Sequence, residues 1–216
     1  MEARKKVAEG PETRGVHVGA GALADSMVPG RMMNAFDPAL YDPEVASLLA
    51  GPRLMALGPG APSMALRSRL AAVGDGLLND NRWRDRDMAL ACAAGLWLYH
   101  DFLDESHEIS QRIRTPTGSY WHGIMHQRQP DDANAAYWFQ RVGEHPVFEP
   151  LAGDARALGL HFRSDDWDPI EFIQLCARFR DSGSEEESLL RRVQLREWQR
   201  LFDWSYRQGH ALTGDD

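Results

Sequence analysis

Cysteine is scarce in this chain of 216 residues, which contains only Cys92 and Cys176. Two cysteines supply neither a disulfide framework nor the ligand spacing of a structural zinc site. Both lie in apolar stretches that resemble buried helices, a setting typical of thiols in a reducing compartment. The sequence therefore predicts a cytoplasmic protein that is held together by its hydrophobic core.

Long apolar runs and an excess of positive charge are missing as well. The longest apolar run covers residues 88–99, well short of the roughly 20 residues that span a bilayer. The 24 lysines and arginines are outnumbered by 32 aspartates and glutamates, which leaves a formal net charge of −8. No segment concentrates the basic residues that phosphate contacts require. We therefore expect neither a membrane nor a nucleic acid as partner.

No segment shows a convincing strand-like alternation of apolar and polar residues, whereas helical spacing and helix caps recur. The cap patterns combine a capping side chain with proline or glutamate in the first turn, as in Asp42-Pro43, Asp168-Pro169 and Ser184 with Glu187. The hydrophobic fraction of 43% is enough for a core in a chain of this length. The pattern predicts an all-α protein of packed helical hairpins, with seven to nine helices.

The first thirty residues differ from the rest of the chain. They mix lysine, glutamate, glycine and proline without hydrophobic periodicity, which is typical of disorder. We expect residues 1–30 to form a disordered arm and residues 31–216 to form a single α-helical domain.

The segment Ser119–Pro146 contains two short helical patterns separated by a polar turn. Gly123 precedes Ala135 by twelve residues, and Phe139 and Val142 follow Ala135 at offsets of four and seven. This spacing resembles the tetratricopeptide repeat, in which small residues let two helices approach closely at their crossing. The resemblance implies a helical hairpin that packs against neighbouring helices.

A second resemblance covers roughly residues 101–146. The run of residues 115–126, TPTGSYWHGIMH, followed by Tyr137-Trp138-Phe139, is similar to a family of uncharacterised bacterial proteins. That family lends no activity to the chain, and the resemblance supports only a shared site.

Two histidines occupy positions where the repeat that this hairpin resembles carries leucine and tyrosine. His122 and His126 are four residues apart and therefore share one helix face. If the preceding helix runs antiparallel about a turn near Pro116, His107 lies level with His126, and Asp104 and Glu108 are its neighbours. The sequence thus predicts a cluster of three histidines with carboxylates nearby.

This cluster has two interpretations. Three imidazoles can hold a divalent transition metal, with Asp104 or Glu108 as a further ligand or as a group that orients one. The same side chains can instead form a hydrogen-bonded core network that joins two hairpins. The spacing alone does not decide between the two.

Two functional hypotheses follow. In the first, the protein binds a protein, a peptide or a small ligand on the outer side of the first hairpin helix, where we expect Tyr120, Ile124, Gln127 and Arg128 to be displayed. Trp121 and Trp138 would wall a pocket beside the histidines, so that the expected ligand-binding residues are Tyr120, Trp121, Arg128 and Trp138. In the second, the protein is a metal-assisted enzyme of hydrolytic or oxidative type, built on the histidine cluster. The prevalence of recognition among stacked helical hairpins favours the first.

Overall fold

The computed structural model describes residues 36–51 and 53–210. Within these residues the secondary structure is helical, which confirms the all-α class; residues 1–30, expected to be disordered, lie outside the described part. The helices are α1 Pro43–Leu48, α2 Arg67–Asn79, α3 Arg86–Tyr99, α4 Leu103–Ser110, α5 Pro116–Arg128, α6 Asp132–Val142, α7 Phe148–Leu158, α8 Pro169–Phe179 and α9 Glu185–Gly209. Short 3₁₀ turns, Pro38–Leu40 and Met64–Leu66, precede α1 and α2. In the described part of the chain, no helix is both long and apolar enough to cross a membrane.

Side chains at the helix starts account for where most helices begin. Asp168 accepts hydrogen bonds from the backbone N–H groups of Ile170 and Glu171, and Ser184 accepts one from Glu187. These are the predicted caps, which satisfy amide donors that have no partner inside the helix. Asp42 is an exception, because its carboxylate accepts from the Tyr206 hydroxyl instead of capping α1.

The hydrophobic core is one connected cluster with contributions from all nine of these helices. The long helix α9 packs on α3, α7 and α8, while α5 packs on α3, α4 and most extensively on α6. The α5–α6 hairpin forms as predicted: Gly123 faces the Phe139 ring so closely that an added Cβ would lie 2.9 Å from ring carbon Cε2. A side chain at Gly123 would therefore push the two helices apart.

Helix α5 lies in the middle of the structure. Every residue from Thr117 to Arg128 is buried, because α3, α4 and α6 cover it and the loop at residues 54–62 closes over its C-terminal end. The expected outward display of Tyr120, Ile124, Gln127 and Arg128 is therefore wrong. The polar and aromatic residues in the sequence of α5 are typical of a helix with one exposed face. In the fold, however, these side chains contact other helices and the 54–62 loop.

Arg128 shows how a charged residue is accommodated there. Its guanidinium donates to the backbone carbonyl oxygens of Leu98, at 2.7 Å, and of Gly58, at 3.2 Å, and it pairs with the Asp101 carboxylate. Arg53 pairs with the same carboxylate. Asp101 itself occupies the turn between α3 and α4 with φ at 66°, a backbone region that aspartate tolerates better than most residues. Arg128 thus fastens the 54–62 loop to this turn and is not available to a ligand.

Candidate metal centre

Three histidines converge between α4 and α5. His122 and His126 are one turn apart on α5, and His107 reaches them from α4. The ring centroids are 4.6 Å apart for His122 and His126, 4.7 Å for His107 and His122, and 5.3 Å for His107 and His126. One ring nitrogen from each histidine lies within 4.8 Å of the other two. The cluster expected from the antiparallel register about Pro116 is therefore present in the fold.

Hydrogen bonds set the orientation of the two buried rings. The Nε2 atoms of His122 and His126 are 3.0 Å apart, and Nδ1 of His122 lies 2.8 Å from the Ser110 hydroxyl oxygen. The Ser110 hydroxyl also lies 3.4 Å from the His107 carbonyl oxygen. The Nε2–Nε2 contact requires a proton on one of its two nitrogens, so one ring donates to the other across the centre.

Burial keeps both α5 histidines neutral. Burial, together with positive charge on His126 and His107, lowers the pKa of His122 to about 3. Burial and the charge of His107 likewise lower the pKa of His126, while the Asp131 carboxylate opposes this shift. At neutral pH the two rings therefore hold lone pairs and not a second proton, which is the form that binds metal ions.

Residues of α6 complete the surroundings of the rings. The Trp138 ring lies 4.3 Å from the His122 ring, centroid to centroid, so Trp138 is placed beside the centre as expected. The Asn134 amide nitrogen is 3.1 Å from Nε2 and 3.4 Å from Nδ1 of His126. These nearly equal distances place the amide across the ring. Trp121 points elsewhere, since its indole nitrogen donates to the buried Ser205 hydroxyl, and its expected ligand-binding role is not supported.

The carboxylate nearest the rings is not one of those expected. Asp131, the N-cap of α6, has its Oδ2 atom 3.9 Å from Nδ1 of His126. Asp104 and Glu108 lie outside the group of converging ligand atoms and line the adjacent groove instead. Glu108 follows His107 directly, and adjacent residues on a helix point about 100° apart. Asp131 follows His126 by five residues across a tight turn, so a search along one helix face misses it.

A groove of about 720 Å³ adjoins the centre, with Asp131 on its wall. Five carboxylates line it, and two of them are neutralised: Asp101 by Arg53 and Arg128, and Glu105 by Arg67 at 2.6 Å. The remaining three, Asp104, Glu108 and Asp131, make no ion pair with a lysine or arginine of the described residues. The groove therefore has a negative potential next to the histidines.

A second group of ligand-type atoms, from Asp42, Asp80 and His210, has similar spacing. Here an arginine occupies the space between the carboxylates, because the Arg82 guanidinium pairs with Asp42 at 2.8 Å and with Asp80 at 2.5 Å. This group is already satisfied by a cation of the protein itself.

Comparisons of the chain with protein-family models, curated proteins and solved structures return no match. No relative therefore lends the histidine centre a chemistry.

Proposed function

We propose that the protein binds a divalent transition-metal ion through His107, His122 and His126, and that it is a metal-assisted enzyme of hydrolytic type. The observation that carries this proposal is the convergence of three imidazoles, two of them buried and neutral, with their ligand nitrogens within 4.8 Å of one another. Imidazole nitrogen suits zinc, copper, iron and nickel.

The geometry needs only a small adjustment to hold such an ion. Ligand nitrogens around a tetrahedral zinc are roughly 3.3 Å apart, given metal–nitrogen distances of about 2.0 Å. The His122 and His126 nitrogens are already 3.0 Å apart. His107 is half-buried and its ring makes no hydrogen bond to another described residue, so it is free to rotate toward them.

Three protein ligands leave coordination positions for water, which is the arrangement of catalytic zinc sites. A bound ion of this kind lowers the pKa of its water and so supplies a nucleophile at neutral pH. The chain itself would contribute the groove, whose wall includes Asp131 but none of the three histidines, and Trp138, whose ring lies beside His122.

Elemental analysis and metal titration test this proposal. Untagged protein is dialysed against a chelator, reloaded with Co²⁺ or Zn²⁺ and followed by visible absorption, calorimetry and thermal melting. We expect one ion per chain and a higher melting temperature. His107→Ala should weaken binding strongly, whereas His161→Ala, at an exposed histidine away from the centre, should leave it unchanged. Absence of binding by zinc, cobalt, iron and manganese would contradict the proposal.

The groove supports a second candidate, the binding of a small ligand or a peptide without metal chemistry. Its volume of about 720 Å³ lies within the range of small-molecule sites, and the unpaired carboxylates of Asp104 and Glu108 favour a cationic ligand. This location replaces the outer face of α5 as the ligand surface. Titration of the metal-free protein with lysine- and arginine-containing peptides tests it, and Glu108→Gln should weaken any binding.

We also propose a cytoplasmic location and a tetratricopeptide-like origin for the α5–α6 hairpin. Both cysteines are free, buried thiols, which suits a reducing compartment. The close approach of Gly123 to Phe139 supports the hairpin geometry of that repeat. Cell fractionation tests the first of these proposals.

A further inference from the structure

The hydrogen bond between His122 and His126 defines the metal-free state of the centre. The two Nε2 atoms lie 3.0 Å apart, so one of them carries a proton and donates to the other. The Nδ1 atom of His122, 2.8 Å from the Ser110 hydroxyl, can donate to it or accept from it, so either ring can be the donor. In one of the two arrangements His126 carries its proton on Nε2 and its lone pair on Nδ1.

The same Nε2 atom faces the centre and would have to bind an ion there. A metal ligand needs a lone pair at that atom, so the proton must leave Nε2 before the ion can bind. Nδ1 is the only other nitrogen of the ring. The group that faces Nδ1 therefore decides whether the second tautomer is stable.

Asp131 is that group. Its Oδ2 atom lies 3.9 Å from Nδ1 of His126, and half of its side chain is exposed, so a small rotation brings it into hydrogen-bond distance. The Asn134 amide lies across the ring face and cannot accept along the N–H direction. Among the described residues, neither Asp104 nor Glu108 has a carboxylate oxygen within 4.0 Å of a His126 nitrogen, whereas Asp131 does.

We propose that Asp131 is a positioning residue that accepts the Nδ1 proton of His126 and thereby selects the tautomer that presents Nε2 to the ion. One N–H bond breaks at Nε2 and one forms at Nδ1, so the ring neither gains nor loses a proton. A carboxylate that orients a metal-ligating histidine in this way raises its affinity for the metal. This inference rests on the proposed metal function for its purpose, but the tautomer can be measured without metal.

The capping role of Asp131 allows a clean test. Its Oδ1 atom accepts from the Asn134 backbone N–H at 3.2 Å, and serine and asparagine are equally good N-caps. Asp131→Ser keeps the cap but is too short to reach His126. Asp131→Asn keeps the cap, the length and an acceptor oxygen, and loses only the charge. Asp132→Ser, next to it, is the control for removing one negative charge at the start of α6, although it also removes the ion pair of Asp132 with Arg180.

The measurements are ¹⁵N chemical shifts of the His126 ring in metal-free protein and the Zn²⁺ or Co²⁺ dissociation constant of each variant. We expect Asp131→Ser to move the ring toward the Nε2–H tautomer and to weaken metal binding roughly 10- to 100-fold. Asp131→Asn should lie between this variant and the wild type. Asp132→Ser should match the wild type in His126 tautomer and in metal affinity, although it loses the ion pair with Arg180, and the melting temperatures of the other three proteins should agree closely.

The outcomes separate this inference from the metal proposal. If the tautomer shifts in Asp131→Ser while the wild type binds no metal, the metal function fails and the positioning role of Asp131 stands. If the tautomer is the same in Asp131→Ser and in the wild type, the inference is overturned, whether or not the protein binds metal.

Discussion

Helix α5 supplies two buried polar clusters that differ in how they are satisfied. At its C-terminal end, Arg128 meets Asp101 and backbone carbonyl groups, so the charges are paired within the protein. His126, two residues earlier, and His122, about one turn before His126, are neutral rings that face each other, and no cation of the described residues lies between them. The first cluster fastens the fold, whereas the second leaves donor atoms for an ion. Both clusters are buried, so the internal counter-charge is what distinguishes the cluster that the protein satisfies itself from the one that we propose to bind a metal ion.

Arg128→Met is the strongest test of the cluster of Arg128 and Asp101, whose charges are paired within the protein. Removal of the guanidinium leaves the Asp101 carboxylate buried with only the half-exposed Arg53 as partner, and breaking a buried ion pair in this way costs about 3–5 kcal/mol. We expect a corresponding loss in the free energy of unfolding, measured by urea denaturation. A loss below about 1 kcal/mol would mean that the cluster behaves like a surface ion pair.

Glu197 tests what happens when a buried acid has no arginine partner among the described residues. Burial raises the pKa of this carboxyl from 4.5 to about 8. The folded state therefore keeps a proton that the unfolded state releases, so stability falls as pH rises from about 4.5 to 8 by up to about 1.4 kcal/mol per pH unit. Glu197→Gln should remove this slope and raise the melting temperature at pH 8. Equal slopes for variant and wild type, measured by melting between pH 5 and 8, would show that Glu197 is not the titrating group.

The histidine cluster, which has no internal counter-charge, is tested by His122→Leu combined with His126→Tyr. The double variant removes two of the proposed ligands and introduces the leucine and tyrosine that the tetratricopeptide repeat, which this hairpin resembles, carries at these positions. We expect metal binding to disappear, together with the stabilisation of about 2.7 kcal/mol that an ion supplies at a hundred times its dissociation constant. The metal-free melting temperature should change little. Retained binding in the double variant would place the ion elsewhere in the chain.

Arg82→Gln extends the comparison to the group of Asp42, Asp80 and His210, whose carboxylates pair with an arginine. The Arg82 side chain is largely exposed and pairs with Asp42 and Asp80, so its loss should reduce stability by less than about 1 kcal/mol. It should also free the Asp42, Asp80 and His210 group for a weakly bound divalent ion. Calorimetry in the His122→Leu, His126→Tyr background measures this binding without interference from the main centre. Strong divalent binding there with Arg82 still in place would argue against the role given to internal counter-charge.

Much of the helical architecture could be predicted from local chemistry. Asp168 and Ser184 act as caps because their side chains satisfy amide groups within the next three residues, an interaction that the sequence contains in full. The histidine cluster could also be predicted from the sequence, because the short turn before Pro116 makes α4 and α5 antiparallel and sets which of their residues lie side by side. Whether the cluster binds metal stays a prediction.

What could not be predicted depends on contacts between distant segments. Arg128 looks like a surface residue until the loop at residues 54–62 closes over it, about seventy residues away in sequence. The local sequence identifies Asp131 as an N-cap. Its proximity to His126 becomes apparent only when the turn between α5 and α6 is known. A single sequence shows which side chains need partners but not which remote segment supplies them.

The burial of α5 on all sides has a consequence for how the chain tolerates change. A helix with one exposed face has positions where almost any polar residue is accepted, but from Thr117 to Arg128 no such position exists. In a saturation mutagenesis experiment scored by protein abundance, this segment should appear as an unbroken block of about twelve intolerant positions. The partly exposed helices on either side should show a periodic pattern instead. Histidines inside that block would be intolerant for two separate reasons, and only a screen that also reports metal content could tell them apart.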